Sequence, residues 1–179
     1  MTLNELRNQL PDYAKDLKLN LDSVLSESGA PGLEPRQIRA IALASAIAAR
    51  HAPLRRAIEA FAAEQLGAEE LDGARAAAAI MAMNNIYYRA THLIANAEYG
   101  QMRAGLRMNV MANPGLDKAT FELASLAVSA INGCGACLDS HEKVIRQHGL
   151  SAQAVQSALK IAAVIHAVAV TAEQAGEPA

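Results

Sequence analysis

The strongest constraint on this chain is a pattern it lacks. No run of even six residues alternates β-branched or aromatic residues with polar ones, which is the period-2 signature of a half-buried strand. Ala, Leu and Ile recur instead at helical spacing through most of the length, Trp is absent, and aromatic residues make up 3% of the chain. The pattern predicts an all-α fold. At 179 residues and 52% hydrophobic, the chain has enough apolar surface for one sizeable core, read as a single domain spanning residues 1–179.

Breaker residues divide the helical pattern. A first helix is expected to open on Pro11 and run through DYAKDLKLNLDSVL, ending at the loop SESGAPGLEP. Helices then follow over 36–50, 54–66 and 69–95. NAEYGQMRAG and NPGLDKA interrupt the pattern and leave a short helix near 106–111 between them. A helix over 118–132 stops at Gly133, a residue suited to the left-handed turn past a helix end. Cys134 therefore begins the next helix, which runs to about His148 and Gly149. Ser151 caps a last helix reaching about Glu173, and the tail 174–179 is expected to fray. LASAIAAR around Ser45 resembles AVSAINGC around Ser129, which suggests a pseudo-repeat of 36–95 with 118–173. Only the second copy carries cysteine: the first has Arg50 and Pro53 at the positions matching Cys134 and Cys137.

Charge and hydropathy exclude several classes. A formal net charge of −2, with no basic run interleaved with aromatics, offers nothing to a nucleic acid. The first twenty residues alternate charge with Leu and do not read as a signal peptide. The segment IAAVIHAVAV is shorter than a membrane span and contains His166, so no membrane partner is expected. The cytoplasm is the expected location. Thiols are kept reduced there, which favours a catalytic or metal role for a cysteine pair over a permanent staple.

Both cysteines lie in INGCGACLDSHEKV, residues 131–144. On one helix, Cys134, Cys137 and His141 are spaced by three and four residues and share a face. As a staple, the chain-entropy model gives so short a loop only about 1.9 kcal/mol, which suits a bond that opens and closes. Redox work needs a thiolate, and moving a thiol pKa from about 8.5 to about 7 takes about 2 kcal/mol. A helix start supplies about 0.3–1 of that. His141, one turn beyond Cys137, is placed to accept its proton directly or through a water. Glu122, on the preceding helix, is the candidate to orient that histidine.

Rival uses of CxxC fit less well. A c-type haem needs His immediately after the second cysteine, where Leu138 stands. A thioredoxin-like site needs a βαβ setting. Structural zinc needs four ligands, and beyond the pair only His141 and the distant His51, His92, His148 and His166 remain.

Glu122, Cys134, Cys137 and His141 at these spacings resemble the signature of the alkyl hydroperoxide reductase D (AhpD) family. MNNIYYR (83–89), LRMN (106–109), NPG (113–115) and FELASLAVSAINGC (121–134) extend the resemblance over essentially the whole chain. It implies the carboxymuconolactone decarboxylase-like helical fold, a homotrimer, and an antioxidant thiol peroxidase that reduces hydroperoxides. It also implies regeneration of an AhpC-type peroxiredoxin, with dihydrolipoamide on a lipoyl-domain protein as electron donor and no bound metal, haem or flavin. Carried over, Cys137 resembles the peroxidatic thiol that passes through a sulfenic acid. Cys134 resembles the proton donor and resolving thiol that closes the disulfide, and His141 with Glu122 resembles the proton relay. Spacing favours the same order, since His141 is one turn from Cys137 and two from Cys134, although Cys134 is nearer the helix start. Some members carry His immediately before the second cysteine, where this chain has Ala136. Two alternatives stand beside this reading: a cofactor-free decarboxylase on the same scaffold, and a zinc-stabilised binding module.

In MNNIYYRATH, the polar residues Asn84, Asn85, Tyr87 and Arg89 are expected to hydrogen-bond between packed helices or across a subunit contact rather than to line the thiol pocket or an entry for a lipoyl arm. Met81, Met83, Met108 and Met111 read as core filler. His166 is expected to be buried or at an interface.

Overall fold

The computed structural model describes residues 1–176. Among the described residues there are nine α-helices: α1 (Leu3–Gln9), α2 (Lys15–Val24), α3 (Pro35–Ala49), α4 (Ala52–Ala63), α5 (Ala68–Leu93), α6 (Glu98–Gln101), α7 (Lys118–Ile131), α8 (Gly135–Gln147) and α9 (Ala152–Ala175). No strand occurs among the described residues, so the all-α expectation holds. Residues 177–179, the end of the tail expected to fray, lie outside the described residues, whereas Gln174 and Ala175 belong to α9.

α3 and α7 sit at the centre, mostly apolar and buried all round through their middle turns. Residues 40–46 of α3 and 120–129 of α7 are buried without a break. A helix that is hydrophobic all round has no face to offer water. α3 packs on α7, α9, α4 and α5, and α7 packs on α8, α9 and α5. Ala40, Ala42, Ala44 and Ala46 of α3 and Ala124 and Ala127 of α7 are all fully buried and keep both helices slim, and Leu43, Leu123, Leu126 and Ile161 fill the remaining space. The helix runs α3–α5 and α7–α9 follow one another with lengths of 15, 12 and 26 against 14, 13 and 24 residues.

The N-terminal and middle segments differ from the sequence reading. α1 was not expected, although Thr2 and Glu5 form a reciprocal capping box that starts it. Pro11 opens a 3-10 turn, Asp12–Ala14, and α2 begins only at Lys15. The helix expected near 106–111 is a 3-10 turn at Asn109–Ala112, while the stretch read as a break contains α6. Neither piece buries a residue, so packing does not extend them.

This irregular stretch is tied to α5 through a glycine. A Cβ at Gly73 would lie 2.6 Å from the Pro114 carbonyl oxygen and 2.7 Å from Leu116 Cγ, so the NPG turn docks where α5 has no side chain. α9 corrects the membrane expectation on length: its 24 residues include a window of mean hydropathy 1.6, long and apolar enough to cross a bilayer. More than half of that window, 56%, is buried against the other helices, which marks a core helix. His166 projects outward from it and is exposed on the chain.

Candidate active site

The turn between α7 and α8 sets the site. Gly133, with φ +69°, donates its N–H to Ala130 O at 3.1 Å, and Cys134 N–H donates to Ser129 O at 3.0 Å, which closes α7 in a Schellman motif. Cys134 is thereby the N-cap of α8, as its place after Gly133 predicted, and its carbonyl accepts from the N–H groups of Cys137 and Leu138. The two sulfurs are joined as a disulfide with Cα atoms 5.3 Å apart.

A buried polar network pins this turn to α5. Asn85 Nδ2 donates to Ser129 Oγ at 2.8 Å, Asn132 Nδ2 donates to Asn85 Oδ1 at 2.9 Å, and the Arg89 guanidinium donates to the Asn132 carbonyl. Asn85 and Ser129 have no exposed surface. The expectation of helix-to-helix bonding therefore holds for Asn85 and Arg89, but Asn84 lines the pocket beside the thiols.

Glu122 and His141, far apart in sequence, are both buried and meet between α7 and α8. His141 Nδ1 lies 2.6 Å from Glu122 Oε2, and Lys118 Nζ lies 2.7 Å from Oε1. Burial pushes the Glu122 carboxyl pKa up, but hydrogen bonds from His141 and Lys118, with the positive charge they bring, outweigh that and hold it below the ordinary value. An ionised carboxylate only accepts, so Nδ1 carries the hydrogen of this contact, and Nε2 is the ring nitrogen left to exchange a proton with the cavity. Lys118 was not read as part of the site, although its position four residues before Glu122 is the signal for such a pair.

Nε2 faces Met81 Sδ at 3.2 Å. A thioether accepts weakly and never donates, so Met81 supplies no proton to that nitrogen. Met81, Asn84, Tyr88, Met108, Met111, Ala136, Cys137, Ser140 and His141 line a cavity of about 310 Å³. Of the two cysteines, Cys137 is on its wall, and Cys134 lies behind it with no exposed surface. The methionines read as core filler are thus in part pocket wall. Met81 gave no sequence signal, being 60 residues from His141. Ala136, immediately before Cys137, also lies on this wall.

A second cavity of similar size, about 290 Å³ between α1, α4 and α9, has neither cysteine nor carboxylate on its wall. Among the described residues no three His, Cys, Asp or Glu side chains converge as metal ligands. His51 instead caps α4, accepting from Leu54 N at 3.2 Å, and His92, His148 and His166 are exposed.

The depressed pKa of Glu122 has a measurable sign. Its contribution to stability is full above the unfolded value, near 4.5, and fades as the pH falls through the lower folded value. The melting-temperature advantage of the native chain over Glu122→Gln is expected to stay level above pH 4.5 and to shrink below it. An advantage independent of pH in that range would contradict the ionised assignment.

Fold and site together define a helical protein with a CxxC disulfide beside a buried His–Glu pair. A model of the carboxymuconolactone decarboxylase family matches residues 97–177. Alkyl hydroperoxide reductase AhpD of Streptomyces griseus is 54% identical over 171 residues, covering 96% of this chain and 95% of that protein. The protein of the same name from Bradyrhizobium sp. is 53% identical over 176 residues, covering 98% and 96%, and that of Gluconacetobacter diazotrophicus is 53% identical over 175 residues, covering 98% and 94%. The chain belongs to the alkyl hydroperoxide reductase AhpD family.

Proposed function

We propose that the chain is an antioxidant alkyl hydroperoxide reductase working through Cys137 and Cys134. The observation that carries this reading is the placement of Cys137 on the cavity wall, one turn from a histidine held by an ionised carboxylate. In the reduced enzyme His141 Nε2 takes the Cys137 proton, directly or through a water, and Glu122 stabilises the imidazolium. The thiolate attacks the distal oxygen of the hydroperoxide, the O–O bond breaks, and the alkoxide leaves as alcohol with the proton from His141. Cys137 is left as a sulfenic acid. The Cys134 thiol then attacks that sulfur, water departs, and the disulfide seen here closes.

A dithiol must reopen it. Dihydrolipoamide carried on a lipoyl domain fits as electron donor, and an AhpC-type peroxiredoxin fits as a second disulfide substrate. The reading needs no bound cofactor. We also propose a homotrimer in the cytoplasm. Six large apolar side chains, Ile86, Leu93, Ile94, Tyr99, Met102 and Val110, are exposed along the end of α5 and the segment after it, a concentration that supports an interface between copies.

The test is free-thiol titration. One equivalent of organic hydroperoxide should remove both thiols of the reduced protein, and dihydrolipoamide should restore both. Thiols that survive hydroperoxide would refute the assignment.

A further inference from the structure

The sulfur of Met81 touches the one ring nitrogen on which the proposed relay depends. It is 3.2 Å from His141 Nε2, and the side chain forms part of the cavity wall that also holds Cys137. With the disulfide closed, no thiolate is present to consume a hydroperoxide that enters this cavity. The oxidisable atoms left on its wall are thioethers, those of Met81, Met108 and Met111. Met108 Sδ already accepts from Asn84 Nδ2 at 3.1 Å. Met81 alone has its sulfur beside a group able to carry a proton from one peroxide oxygen to the other.

We propose that Met81 is a modification site, oxidised to the sulfoxide by alkyl hydroperoxide when the CxxC pair is in its disulfide form, and that this oxidation switches the enzyme off. The proposal rests on the hydroperoxide reductase reading above. In the step, a lone pair on Met81 Sδ takes the distal oxygen and the O–O bond breaks. The hydroperoxide proton is relayed through Nε2 to the departing alkoxide, which leaves as alcohol. Sulfur loses two electrons to the peroxide, and no further reactant is needed.

The consequence follows from the geometry. A sulfoxide oxygen is a strong acceptor where the thioether was a weak one, and it forms within reach of Nε2. His141 then has the Glu122 carboxylate at Nδ1 and the sulfoxide at Nε2, so both ring nitrogens are held as donors. A ring nitrogen tied to the sulfoxide oxygen is withheld from Cys137 and gives no proton to the departing alkoxide. Turnover fails when oxidant outruns the dithiol supply, and it returns when the sulfoxide is reduced.

The experiment treats the full-length disulfide form with excess tert-butyl hydroperoxide in the absence of dithiol, removes the peroxide, and assays turnover with dihydrolipoamide. Peptide fragmentation separates Met81 from Met83. The expected result is one added oxygen on Met81 in step with loss of turnover, reaching about 100-fold at full modification because the relay is lost. Methionine sulfoxide reductases should restore it, and Met81→Leu should keep its own starting turnover through the same treatment. Loss of turnover with Met81 unmodified, Met81 modified with turnover intact, or both unchanged would each overturn the proposal. If Met81→Leu does not fold, the mass map of the native chain decides alone. Untreated protein that fails to reduce hydroperoxide would refute the function itself, which the mass map reads separately.

Discussion

Cys137→Ser is expected to reduce hydroperoxide turnover to the uncatalysed background, whereas Cys134→Ser should still consume one equivalent and stop. The difference lies in where the two sulfurs sit. Cys137 is on the cavity wall, one turn from His141, so a peroxide in the cavity meets that atom first. A serine hydroxyl there is far too weakly acidic to be ionised by an imidazole and reacts poorly with a peroxide oxygen. Cys134 has no exposed surface, and in the proposed cycle it attacks the sulfur already oxidised, a closure that the 5.3 Å Cα separation permits. Without Cys134, the sulfenic acid at Cys137 has no neighbouring thiol and should be trapped by a dimedone-type probe. A labelled Cys134 in Cys137→Ser would reverse the assignment, and it is a sharp test because Cys134 lies nearer the start of α8.

The second large effect belongs to the relay. His141→Gln should slow turnover by about 10²–10⁴-fold, the usual contribution of a positioned acid–base group, and Glu122→Gln by less, since the amide still accepts from Nδ1. Both glutamines keep a polar partner in a buried pair, so folding should survive where an alanine would leave a buried group unpaired. The informative measurement is the rate of Cys137 alkylation by iodoacetamide against pH in the reduced proteins. The rate profile should move to higher pH in both variants, because the thiolate loses its proton acceptor or the carboxylate that supports it. Alkylation at the native rate at neutral pH would count against the relay even if turnover fell.

Much of this architecture was legible before any coordinates because it depends on neighbours in sequence. The ends of α7 and α8 follow from Gly133 and Gly149, and the start of α9 from Ser151, whose hydroxyl accepts from Ala154 N at 3.1 Å. Where local signals are weak, structure and sequence pattern part: the Thr2–Glu5 capping box starts a helix of only 7 residues, and the helix expected near 106–111 does not form where none of residues 96–112 is buried.

The sequence by itself determined the helical class and the common face of Cys137 and His141, because helical periodicity fixes directions over a few residues. Only the tertiary structure decided that Glu122 is buried and ionised between His141 and Lys118, that Cys137 rather than Cys134 faces a cavity, and that Met81 closes the far side of the imidazole. Those facts arise where α5, α7 and α8 pack together. The burial of a charge, the wall of a cavity and the partner of a ring nitrogen are set by atoms that are distant in sequence.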